Sequence, residues 1–142
     1  MRKSTLRMIC FIVILTVALL YTNRVFKVKY GDGIYDVTKF YELENETVDV
    51  LILGSSHAFE DFNTGTLWSE YGMAAYVLGG SVQPMWNTYY YLKEALKTQK
   101  PQLIVLEGYT AVYESEFIDD SRIIKNNYGL KWSRDKVNSI KI

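Results

Sequence analysis

The stretch VDVLILGSSHAFEDF, residues 48–62, decides how the rest of the chain is read. Val48 to Leu53 is apolar apart from Asp49, with the length and aliphatic character of a strand buried on both faces. The run breaks at Gly54 into Ser55 and Ser56, meets His57, the only histidine, and continues into a segment of helical character. A buried strand, a glycine and a helix start, in that order, open a strand-crossover-strand unit. The serines have two readings. A hydroxyl at a helix start can simply cap a free backbone amide. Alternatively, one of them projects from the strand end as a reactive group.

Two further apolar runs, Ala74 to Leu78 and Leu103 to Leu106, read as strands of the same kind. Between them, PMWNTYYYLKEALKTQ (84–99) has Pro84 at an early helical position, and Met85, Tyr89, Leu92 and Leu96 recur at spacings of four, three and four. That spacing predicts a buried stripe, with Lys93, Glu94 and Lys97 facing water. Alternating strands and helices predict an α/β layer fold on a parallel sheet, in which a ligand sits beyond the carboxyl ends of the strands. Those ends carry Gly54, Ser55 and Ser56, then Gly79, Gly80 and Ser81, then Gly108, Tyr109 and Thr110. Small residues and hydroxyls at all of them let backbone amides approach a ligand.

The amino terminus has a different character. Arg2, Lys3 and Arg7 precede an uncharged apolar run from Met8 to Thr22. At about 1.5 Å per residue the run is somewhat shorter than a hydrocarbon core of roughly 30 Å, and Arg7 and Arg24 can snorkel to its two surfaces. No polar face interrupts it, as one would in a helix packed on a soluble core. The following residues offer no small-x-small cleavage site. The expected plan is a cytoplasmic basic tail at 1–7, a single-pass signal anchor at 8–22, a juxtamembrane linker at 23–47 and the α/β domain from 48 to 142. The linker holds a Gly-Asp-Gly turn at 31–33 and a short amphipathic segment through Val37, Phe40 and Tyr41. Arg24, Lys27 and Lys29 nearly balance the charges before the span, so charge does not decide its orientation.

Composition narrows the chemistry. The 142 residues are 49% hydrophobic and 15% aromatic, enough for one modest core. Sixteen basic residues balance sixteen acidic ones without a cationic run, which argues against nucleic acid as a partner. One cysteine, Cys10, excludes an intramolecular disulfide, and a lone histidine gives no zinc-ligand spacing. Neither a metal nor a cofactor is expected.

LILGSSHA (51–58) resembles the first sequence block of the SGNH, or GDSL-like, hydrolases, and YVLGGS (76–81) is similar to their second. KPQLIVLEGY (100–109) and YGLKWSRDKV (128–137) are in keeping with the membrane-anchored bacterial envelope members, among them D-alanyl transfer proteins and polysaccharide O-acetyltransferases. The resemblance spans residues 36–142. It implies a flavodoxin-like three-layer α/β/α fold, an extracytoplasmic globular part, and an acylated polysaccharide or related envelope polymer as substrate. It makes Ser56 the nucleophile and the Gly79 amide an oxyanion donor, so that acyl transfer runs through an acyl-serine. Ser55 takes the place of the family's acidic residue; with His57 and Gly80 it falls on the substrate-binding side.

The chain departs from the family pattern in two places. In EGYT (107–110) Thr110 stands where the third block usually supplies an asparagine, and its shorter hydroxyl donates only if the loop sits closer. Glu107 either faces the cleft or makes an ordinary salt bridge. The late Asp-x-x-His block that supplies the base is absent, and His57, next to Ser56 in the chain, is poorly aimed at it. The tail from Ser121 runs into a helical segment without a Gly or Pro stop. The expectation is an N-terminal part of a longer protein with about five strands, the Asp and His following residue 142. Two functions stay open: a membrane-anchored serine esterase or acyltransferase of envelope polymers, and a catalytically silent module that binds glycan or an envelope assembly partner. A weaker third reading is an anion site at GSSH.

Overall fold

The computed structural model describes residues 3–26, 34–112 and 120–140; the Gly-Asp-Gly turn expected at 31–33 lies outside them. Helix α1 runs from Lys3 to Phe26, has a mean hydropathy of 2.1 over its most apolar window, and buries none of its residues. It is long and apolar enough to cross a membrane. It starts and ends beyond the apolar run, because the flanking charged residues are also good helix formers.

The α/β unit begins with α2 (Ile34–Phe40), followed by β1 (Val50–Gly54), α3 (Ser56–Asp61), α4 (Thr64–Tyr71) and β2 (Ala75–Gly79). Then come α5 (Met85–Ala95), β3 (Leu103–Leu106), a 3₁₀ turn at Tyr109–Ala111, α6 (Asp120–Tyr128) and α7 (Arg134–Ile140). The three strands are parallel in the order β2-β1-β3, with Gly54 opposite Gly79 and Leu53 opposite both Leu78 and Leu106.

Alternation along the strands sorts the core onto two faces. Leu51 and Leu53 of β1 and Leu78 of β2 pack with Val37 and Phe40 of α2, Tyr91 and Ala95 of α5, and Leu130. On the other face Val50 and Ile52 meet Ala58 of α3, with Leu67 of α4, Ala75, Val77 and Val105 against them. Every residue of the central strand is buried. Asn63 caps α4 by accepting the Thr66 amide at 3.0 Å, and Gly72 ends it in the left-handed conformation at φ 67°.

Three expectations need correction. The linker assigned to 23–47 is not all linker: Val37 and Phe40 are each 2% exposed, and the Phe40 ring meets Tyr76 edge-on at 5.3 Å. Hydrophobic burial therefore carries the folded unit back to α2. The stripe expected on α5 is rotated. Asn87, Thr88, Tyr91 and Ala95 face inward, while Tyr89 and Leu96 are 56% and 50% exposed. The polar residues are buried because they find partners: Asn87 donates to Asn127 Oδ1 at 3.0 Å, and Thr88 bridges Pro84 and Gln83. Last, β3 is not buried on both faces. It is an edge strand, and Leu103, Ile104 and Leu106 are 52%, 42% and 53% exposed.

Helices α6 and α7 close the face carrying α5. Asp135 binds Lys93 at 2.5 Å and Lys97 at 3.2 Å, the Tyr91 hydroxyl donates to the Asn126 carbonyl, and the Ser139 hydroxyl donates to Asn127. Exposed pairs of this kind add little; the buried hydroxyl and amide bonds set how α6 and α7 sit against α5.

Candidate functional site

The parallel register brings Gly54, Gly79 and Leu106 to the same end of the sheet, so the turns that follow them converge. Small residues let them pack closely. A Cβ at Gly54 would lie 2.5 Å from the Cβ of Glu107, and one at Gly79 would lie 2.9 Å from the Gly54 carbonyl and 3.0 Å from that of Ser55. Ala58, on the first turn of α3, also borders both positions.

Glu107 ties two of the turns together. Its Oε2 accepts the Ser55 hydroxyl at 2.6 Å and the Ser55 amide at 3.0 Å, and its Oε1 accepts the Tyr109 amide. Of the two readings of Glu107, the salt bridge is not formed among the described residues; serine and backbone donors hold the carboxylate instead. Burial alone would raise its carboxyl, but the Ser55 hydroxyl, the two amides and the nearby His57 outweigh that and hold it below the ordinary value. Ser55 occupies the N-cap position of α3 and is 2% exposed, yet its hydroxyl makes no capping bond. The cap explanation therefore fails for Ser55. Ser56 is the first residue of α3, partly exposed, and its hydroxyl makes no hydrogen bond with the described residues.

His57 is directed toward Ser55 and Tyr109. Its Nδ1 is 3.3 Å from Ser55 Oγ, and its ring lies on Tyr109 with centroids 4.3 Å apart at 56°. Thr110 sits in the 3₁₀ turn with its hydroxyl shielded from solvent and without a partner among the described residues.

The second turn is clamped by α6. Arg122 donates to the Ser81 hydroxyl at 3.0 Å and Asn126 to the Ser81 carbonyl at 3.3 Å. A Cβ at Gly80 would meet Asn126 Oδ1 at 2.7 Å and Gln83 Oε1 at 3.0 Å. Neither Arg122 nor Asn126 was singled out from the sequence; their only signal is the i, i+4 spacing that puts both on one face of α6. The Gln83 amide closes the turn onto the Gly80 carbonyl at 3.1 Å, which leaves Val82 at φ 51°, where a β-branched residue is strained. Val82→Asn is expected to raise stability by about 1 kcal/mol, read as a higher midpoint of thermal unfolding. An unchanged or lower midpoint would show that the turn carries no such strain.

A separate cleft of about 220 Å³ opens at the outer edge of β2, between Asp36, Phe59, Phe62 and Thr64. It includes none of the strand-end residues. No group of His, Cys, Asp and Glu among the described residues is arranged to hold a metal.

Glu107 also gives the site a pH signature. Its carboxyl lies below the ordinary value of a free glutamate in the folded state, so its contribution is complete above that ordinary value and is lost as pH falls through the depressed one. Glu107→Gln is expected to cost about 1 kcal/mol at neutral pH, a modest figure because the side chain is only partly buried. The gap to wild type should close on acidification in chemical denaturation. A gap independent of pH would show that the carboxylate charge contributes nothing.

Comparison of the chain with protein-family models, with curated proteins and with solved structures gives no match.

Proposed function

We propose that the chain is a membrane-anchored SGNH-like serine ester hydrolase or acyltransferase, acting on acyl groups of cell-envelope polymers with its globular part outside the cytoplasm. The observation that carries the reading is the placement of Ser56: the first residue of the helix that follows the central strand, its hydroxyl without a hydrogen-bond partner among the described residues, next to Ser55, which packs against Gly79 and is bound by Glu107. The strand order β2-β1-β3 is in keeping with the start of the flavodoxin-like order. The SGNH resemblance of LGSS and LGGS supplies the chemistry: Ser56 Oγ bonds to an ester carbonyl carbon as the ester's C–O bond breaks and its alcohol leaves carrying the serine proton, and water or an acceptor hydroxyl then takes the acyl group and returns its proton to Ser56. Gly79 and Thr110 are the proposed oxyanion donors, and Ser55, His57 and Gly80 line the substrate side. The test is labelling of Ser56 by a fluorophosphonate probe.

A second reading is favoured by one observation. His57 is turned to Ser55 and Tyr109, and no described residue makes a hydrogen bond to the Ser56 hydroxyl that could take its proton. On this reading the same surface binds an acylated glycan or an envelope assembly partner without turning it over, and Ser56 resists labelling even when a base is supplied.

A further inference from the structure

Ser55 stands between a carboxylate and an imidazole, and its hydroxyl has one proton to give. The 2.6 Å contact with Glu107 Oε2 is a charge-assisted bond in which only the hydroxyl can donate. The proton is thereby committed. His57 Nδ1, 3.3 Å from the same oxygen, meets a lone pair and satisfies it only by donating. We propose that Ser55 and Glu107 are positioning residues that hold neutral His57 in the Nδ1–H tautomer, leaving Nε2 as the ring nitrogen with an open lone pair.

Three features of the site fit this relay. Tyr109 lies against the imidazole, and its own amide is bound by the other oxygen of the same carboxylate, so Glu107 sets both neighbours of the ring. Gly54 lets the carboxylate approach, because a Cβ there would be 2.9 Å from Glu107 Oε2. Nε2 meets no partner among the described residues, and His57 is partly exposed. In chemical terms the ring offers the cleft a proton acceptor and not a donor. Under the acyl-transfer reading, on which this last step rests, His57 serves a hydroxyl-bearing ligand and not an oxyanion. The tautomer itself does not depend on that reading.

Because His57 is the only histidine, the full chain labelled with ¹⁵N-histidine in detergent micelles gives a single imidazole spin system. At a pH where the ring is neutral, long-range ¹H–¹⁵N correlations distinguish the protonated nitrogen from the bare one. The expected result is Nδ1–H in the wild type and a shift to mainly Nε2–H, the form favoured by a free side chain, in Ser55→Ala. A wild-type ring protonated on Nε2 overturns the proposal, and this measurement needs no variant to fold. Retention of Nδ1–H in Ser55→Ala also overturns it. Probe labelling of Ser56 is scored on the same samples. No labelling together with an intact Nδ1–H tautomer rejects acyl transfer and leaves the relay standing; labelling together with Nε2–H does the reverse.

Discussion

Gly79→Val is expected to destabilise the folded domain by about 3 kcal/mol, against about 1 kcal/mol for Gly72→Ala. At Gly79 the added carbons meet backbone oxygens of Gly54 and Ser55 at 2.9 and 3.0 Å, and neither can move without shifting the end of the central strand. At Gly72 nothing lies within 4 Å of an added Cβ, so the cost is only that of holding alanine at φ 67°. The midpoints of urea unfolding, compared at constant slope, decide it. Three kcal/mol is a large share of the stability of a small domain, so the valine variant should be visibly depleted in cells. Under the acyl-transfer reading the surviving folded fraction should also lose about a hundredfold in rate if Gly79 is an oxyanion donor. Equal midpoints for the two variants would mean that the Gly54-Gly79 approach is looser than the geometry indicates.

The same close approach explains what could be read from the sequence. The three parallel strands were legible because uninterrupted apolar runs bounded by glycine have few other uses, and the register then brings their glycine-rich ends together whatever the details of the helices. The apolar amino-terminal helix was legible for the same reason of composition. The rotation of α5 was not. Periodicity counts apolar residues, whereas Asn87 and Thr88 are inside because of partners about 40 residues away and one turn away. Glu107 is a similar case. A carboxylate at a strand end reads as a surface charge until the fold sets Ser55 beside it, and the pairing that matters spans 52 residues of sequence. Val37 and Phe40 were seen as apolar, but a segment next to an apolar helix of membrane-spanning length offers no sequence signal that distinguishes lying against lipid from packing on a sheet. The exposed apolar edge at β3 is the converse: the composition of a central strand at the margin of the sheet.

Ser56→Ala is expected to abolish fluorophosphonate labelling, a loss of about a hundredfold or more, while Ser55→Ala keeps most of it. The two hydroxyls are adjacent in sequence but differ in their surroundings. Ser55 is 2% exposed and its hydroxyl proton is held in the hydrogen bond to Glu107, so it is neither accessible nor nucleophilic; Ser56 is partly exposed and its oxygen has no hydrogen-bond partner among the described residues. Labelling of the 142-residue chain should be slow, because no described residue is bonded to the Ser56 hydroxyl to take its proton. A positioned general base typically contributes about 10²–10⁴ in rate. Added imidazole, which supplies a mobile base, should therefore accelerate labelling of Ser56 and leave Ser55 untouched. His57→Ala should change the rate little, since the ring is turned to Ser55 and Tyr109. Labelling that is fast without imidazole and disappears in His57→Ala would make His57 the base for Ser56 and displace the Ser55-Glu107 relay. A folded chain that resists the probe even in imidazole would instead favour the silent module, with Ser56 as nothing more than the first residue of α3.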